Sequence, residues 1–121
     1  MIRVGTLPCS GSCNVGMLTT KAVVEMCVQR DNVGFVCALG LPLGIEGIIG
    51  NARKFDKNVA VNGCEVRCST KSLEKVGLTV DEEIVVTRDL DIQKTKNLKD
   101  DSGLEILKSR LEEAIERLSR A

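Results

Sequence analysis

Short apolar runs along the chain alternate with longer stretches in which apolar positions return every third or fourth residue. Ile2 to Thr6 opens the series, followed by Val33 to Leu39 (Val-Gly-Phe-Val-Cys-Ala-Leu), Val59 to Val61 and Ile84 to Thr87. Runs rich in Val and Ile suit strands buried on both faces. Between them, Val15 to Arg30 carries Leu18, Ala22, Val23, Met26 and Cys27 at helical spacing. Ile45 to Phe55 reads as a second helix opening after glycines, and Glu65 to Val76 as a third that Gly77 terminates. This alternation predicts an α/β fold, with a mostly parallel four-stranded sheet, right-handed crossovers and flanking helices in a Rossmann-like three-layer arrangement.

The last part of the chain changes character. Arg88 to Asp101 is polar and reads as a connector, and Ser102 followed by Glu105 has the form of a helix-capping box. Behind it Leu104, Leu107, Leu111, Ala114 and Leu118 form the narrow apolar stripe of a C-terminal amphipathic helix. The favoured expectation is that this stripe packs back on its own chain. The alternative is a seam for a homodimer or another protein partner, although fewer than about three heptads rarely hold unaided. Residues 1–95 then make a cysteine-rich α/β domain, with 96–121 a connector and helix of the same compact unit.

Composition removes several functions. The 121 residues fit one domain, and 17 basic residues against 17 acidic ones leave no general field for nucleic acid or an anionic membrane. Phe35 and Phe55 are the only aromatics, so bases find no stacking platform. The N-terminal apolar stretch is too short for a signal peptide, and no run nears the roughly 20 apolar residues of a membrane helix. A cytoplasmic location is expected, where thiols stay reduced and grouped cysteines read as metal-binding or catalytic.

The chain has six cysteines and no histidine. Cys-His dyads, Ser-His triads and mixed Cys/His metal sites are thereby removed. Two pairs share one spacing, Cys9-x-x-x-Cys13 and Cys64-x-x-x-Cys68. In a parallel sheet every strand-to-helix turn lies on one edge, where ligands bind. Cys9 follows the first strand, Cys37 ends the second, and Cys64 follows the third, with Cys68 expected one helical turn further on and on the same helical face, where both can reach one ion. Separate strand ends thus deliver thiols to the same edge. Four thiolates suit zinc at about 2.3 Å, and spacing alone admits an iron–sulfur cluster as well. Arg67 and Lys71 could offset part of the sulfur charge. Cys27, among Val23, Val24 and Val28, reads as a small packing residue, while Cys13 reads equally as a helix-start residue, a spare ligand or a resolving thiol. Gly40, Gly44 and Gly47 match neither a dinucleotide fingerprint nor a P-loop and read as turn glycines, with Glu46 a dipole partner at a helix start.

Several stretches together resemble the DGC domain family, whose members are also described as zinc-binding proteins. They are Cys9-Ser10-Gly11 with Asn14-Val15-Gly16, Phe35-Val36-Cys37, Gly44-Ile45-Glu46-Gly47, Asn62-Gly63-Cys64-Glu65-Val66-Arg67-Cys68, Leu73-Glu74-Lys75-Val76-Gly77 and Val85-Val86-Thr87. They span roughly residues 2 to 95 and leave the helix from Ser102 outside. The resemblance implies a small α/β domain with a four-cysteine zinc site whose ligands are Cys9, Cys37, Cys64 and Cys68. It names a site and not an activity. Two positions depart from it: Asn62 stands where the family name puts aspartate, and Cys13 where a small residue other than cysteine is expected. A fully sulfur-ligated ion has no open position, so its role would be structural or regulatory. The enzymatic alternative is a thiol oxidoreductase or sulfur carrier using Cys64 with Cys68, or Cys9 with Cys13. Neither pair has the two-residue spacing of thioredoxin-like motifs.

Overall fold

The structure, a computed structural model, describes residues 1–120. Its elements are β1 (Val4–Pro8), α1 (Asn14–Gln29), β2 (Val33–Phe35), α2 (Glu46–Arg53), β3 (Lys57–Asn62), α3 (Cys68–Lys75), β4 (Glu82–Val85), α4 (Val86–Asp89) and α5 (Leu104–Ser119). The four strands form one sheet in the order β2-β1-β3-β4, and every neighbouring pair is parallel. The α/β class read from the sequence is the observed one. β1 and β3 are central and buried almost throughout, as strands covered on both faces must be.

Side chains alternate across the sheet and feed two cores. Val59 and Val61 of β3 join Val15, Leu18 and Val23 of α1 and Leu107, Leu111 and Ile115 of α5 on one face. Ala60, between them, joins Ala52, Phe55 and Leu73 on the other. The chain runs outward from β1 to β2, then returns past β1 to β3. This reversal creates a crevice at the C-terminal ends of β1 and β3, the usual ligand position in such sheets.

Several boundaries differ from the sequence reading, each for a local reason. β2 ends at Phe35, not Leu39: Val36 N–H still donates to Thr6 O at 2.9 Å, and beyond it the chain turns away toward Gly44. α3 begins at Cys68, not Glu65, because Arg67 takes a left-handed conformation with φ 60°. Cys64 therefore lies in the preceding turn. The capping box at Ser102 does not form; Gly103, with φ 92°, caps α5, while Ser102 N–H donates to Asp100 Oδ1 at 2.9 Å. The apolar run expected to continue as strand to Thr87 instead folds into α4, whose Asp89 Oδ2 accepts the Val85 N–H at 2.8 Å. Gly77, with φ 75°, ends α3 as anticipated. Among the described residues no helix is long and apolar enough to cross a membrane.

The stripe of α5 lies on its own chain. Leu107, Leu111, Ala114 and Leu118 are buried with Ile115 against α1, and Leu104 is partly covered. Ion pairs flank the seam, Arg30 to Glu112 at 3.2 Å and Glu116 at 2.9 Å, and Lys108 to Glu25 at 2.6 Å. Leu111→Ala should destabilise the protein by about 2–5 kcal/mol through loss of burial and a residual cavity. Ile106→Ala, on the exposed side of the same helix, should stay within about 0.5 kcal/mol in the same urea-unfolding series.

Candidate thiol site

Cys9 is the first residue beyond β1, and its N–H adds a further rung by donating to Val61 O at 3.1 Å. Its side chain is buried, and Sγ accepts the Gly63 N–H at 3.2 Å. The Thr19 hydroxyl lies 2.7 Å from Gly16 O, 3.0 Å from Cys9 O and 3.8 Å from Cys9 Sγ. Cys13 caps α1, its Sγ accepting the Gly16 N–H at 3.4 Å. A methyl built on Gly11 would stand 3.5 Å from the Cys13 sulfur and 3.9 Å from that of Cys9, so the two thiols flank one small space. Cys64 is half-buried in the β3–α3 turn, and Cys68 is exposed at the first residue of α3.

Cys9, Cys13, Cys64 and Cys68 border a single cavity of about 200 Å³. Three of the four cysteines put forward from the sequence thus come together, and Cys13 joins them. Cys37 does not border it; it is exposed on the loop leaving β2. The expectation that Cys64 and Cys68 share one helical face fails, because the αL turn at Arg67 separates them. Among the described residues no three cysteine, aspartate or glutamate side chains are already drawn around one point closely enough to hold an ion. Cys27 lies outside, 3.8 Å from the Thr6 hydroxyl; burial pushes its thiol up, partly opposed by that hydroxyl.

The connector after α4 is part of the site, which its polar composition did not announce. Asn14, at the start of α1 and buried, donates from Nδ2 to Gln93 O at 2.9 Å and accepts the Thr95 N–H at 2.6 Å. The strap so pinned carries Lys94 and Lys96 to the cavity, with Lys94 Nζ 3.7 Å from Cys64 Sγ. Lys94 thus meets a site sulfur directly, whereas Arg67 is paired with Glu83. Alternating Lys-x-Lys in a polar stretch was the only trace of this in the sequence.

The family model described as DGC domain matches residues 6–118, nearly the whole chain. The chain belongs to the DGC domain family. Comparison with curated proteins and with solved structures gave no match. The match runs through the connector and α5, beyond the stretch on which the resemblance rested. Both therefore belong to the DGC domain, in keeping with the connector's place over the thiols and α5's place in the core.

Asn62 stands where the resemblance led us to expect aspartate, and its environment shows what the side chain does. It is fully buried at the end of β3. Oδ1 accepts the Ser69 N–H at 2.9 Å and the Thr70 N–H at 3.3 Å, capping α3 from outside the helix, since its own N-cap, Arg67, makes no side-chain capping bond. Nδ2 donates to Thr70 Oγ1 at 2.9 Å and Ile84 O at 3.3 Å. Thr70 in turn donates to Glu83 Oε2 at 2.7 Å, which also takes Arg67 Nε at 2.7 Å, while Glu83 Oε1 meets Arg88 at 3.2 Å. This network anchors both ends of the Cys64–Cys68 turn. Asn62→Ala removes the cap and strands buried partners, and should lower stability by roughly 2–4 kcal/mol, read from the thermal transition.

Burial would push the Glu83 carboxyl up, but the Thr70 hydroxyl and the Arg67 and Arg88 guanidiniums outweigh it and hold it below the ordinary 4.5. A carboxyl depressed in the folded state stabilises fully above its unfolded value and loses that contribution as pH falls through the folded one. Wild-type protein should therefore lose stability as pH falls below the ordinary 4.5, and Glu83→Gln should lose less over the same descent in urea titrations.

Proposed function

We propose that the protein binds zinc through cysteine sulfur at the C-terminal edge of the sheet, in a structural or regulatory role. What supports the reading is that Cys9, Cys64 and Cys68, carried by two different turns and a helix start, border one cavity. The donor set suits the ion, since thiolates are soft ligands and histidine is missing altogether. Four thiolates on a divalent ion leave a net negative charge, and Lys94 with Lys96 stands where it would be offset.

The fourth sulfur comes from Cys37 or Cys13. Cys37 is exposed but sits between buried Val36 and Ala38, so its sulfur reaches the site only if the loop after β2 repacks. Cys13 needs its bond to the Gly16 N–H to be given up. The sulfurs reside on turns rather than in strands, so closing around an ion requires side-chain and loop adjustment, not rearrangement of the sheet.

Elemental analysis of protein purified without oxygen, with a Cys→Ser series, tests this. One equivalent of zinc is expected, with Cys9→Ser, Cys64→Ser and Cys68→Ser each weakening retention at least roughly ten-fold and Cys27→Ser leaving it unchanged. The more damaging of Cys13→Ser and Cys37→Ser identifies the remaining ligand. A preparation with well under one equivalent of metal and six freely titrating thiols overturns the reading. A visibly absorbing, iron-containing protein replaces zinc by a cluster.

A further inference from the structure

A second and larger cavity, of about 430 Å³, adjoins the thiol site and is not needed to hold a metal. Ala38, Leu39 and Pro42 of the β2–α2 loop line it with apolar surface, and Lys71 and Lys75 of α3 border it as well. Cys9 and Cys68 border both cavities, so they are the partition between them. The volume is that of a small-molecule site, and the place is the crevice where the sheet reverses its strand order.

Charge and shape select the occupant. Lys71 and Lys75 are four residues apart and so share a face of α3. Neither forms an ion pair among the described residues, and no acidic side chain borders the cavity. Leu39, 63% exposed, leaves its apolar surface to solvent beside them. An almost wholly apolar lining, bordered by the exposed and unpaired Lys71 and Lys75, matches an anion that carries an apolar body and keeps its charge at the rim. With no aromatic lining the cavity, nothing recommends it for a nucleobase. We propose that this cavity binds a small carboxylate with an aliphatic body, the carboxylate between Lys71 and Lys75 and the body against Ala38, Leu39 and Pro42. The cavity shares Cys9 and Cys68 with the proposed zinc site, but the carboxylate assignment uses neither sulfur.

Amide ¹⁵N–¹H spectra of the full chain as isolated, titrated separately with hexanoate, 1-hexanol and inorganic phosphate, provide the test. Hexanoate should give saturable shifts centred on Ser10, Leu39, Ser72 and Lys75. Hexanol should bind more weakly, and phosphate should not saturate. Lys71→Gln and Lys75→Gln should each weaken hexanoate roughly three-fold and leave hexanol unaffected, as expected for exposed ion pairs. Ala38→Phe, which fills the cavity, should abolish both while shifts elsewhere stay in place. Absence of saturable shifts at these four amides overturns the proposal. So does hexanol binding as tightly as hexanoate, or phosphate competing equally.

Discussion

The turn after β3 is pressed against the first turn of α1, and the arrangement of the sulfurs depends on that contact. A Cβ on Gly63 would stand 2.8 Å from Gly16 N and 2.9 Å from Val15 C, and one on Gly16 would stand 2.5 Å from Gly11 O. These are backbone atoms, which cannot rotate aside. Glycine is required at both positions because three backbone segments meet, not because of an unusual φ. The close approach lets Gly63 N–H reach Cys9 Sγ at 3.2 Å and sets the β1–α1 and β3–α3 turns side by side. Cys9 and Cys64, 55 positions apart in the chain, border one cavity in consequence.

Two polar systems hold this junction from either side. On the β4 side, Asn62, Thr70 and Glu83 link the end of β3, the first turn of α3 and the adjoining strand, and Arg67 closes the ring from within the cysteine turn. The left-handed backbone at Arg67 is unfavourable for a non-glycine residue, and the ion pair to Glu83 at 2.6 Å helps to retain it. On the α1 side, Asn14 does for the connector what Asn62 does for α3, satisfying backbone groups that have no partner of their own. One asparagine shapes the sulfur-bearing turn, and the other lays two lysines across it.

The fold was legible because its signals are periodic. β1 and β3 show as continuous apolar runs, α1 and α5 as stripes with a three-four repeat, and Gly77 as a helix stop. The convergence of Cys9 and Cys64 followed from parallel topology alone. What escaped were features set by contacts between distant residues. Nothing local in Glu65-Val66-Arg67 forbids a helix; the αL turn is held by Glu83 on another strand. Nothing in Arg88 to Asp101 distinguishes a strap from a linker, since the decisive bonds come from Asn14. Cys37 was read at a strand end because Val36-Cys37-Ala38 is apolar, yet the ladder stops at Phe35.

The separation of Cys68 from Cys64 by a distorted turn has a mechanical consequence. Were both on one helical face, as their spacing first suggested, the pair would be rigid and any ion would have to fit it. Placed on opposite sides of Arg67, Cys68 is fixed to α3 while Cys64 follows the turn and faces Lys94. Cys9 is held by the Gly63 N–H and by its own backbone rung to β3, making it the immobile member. A site with one anchored sulfur, one helix-borne sulfur and one on a turn leaves the turn-borne sulfur the freest of the three, even though Cys64 also packs against the core under α1. That freedom is found where loops are carried by a rigid scaffold, and here the scaffold is the β1–β3 pair. Because Cys9 and Cys68 also bound the larger cavity, movement of the helix-borne sulfur relative to the anchored one would alter the wall of both spaces together.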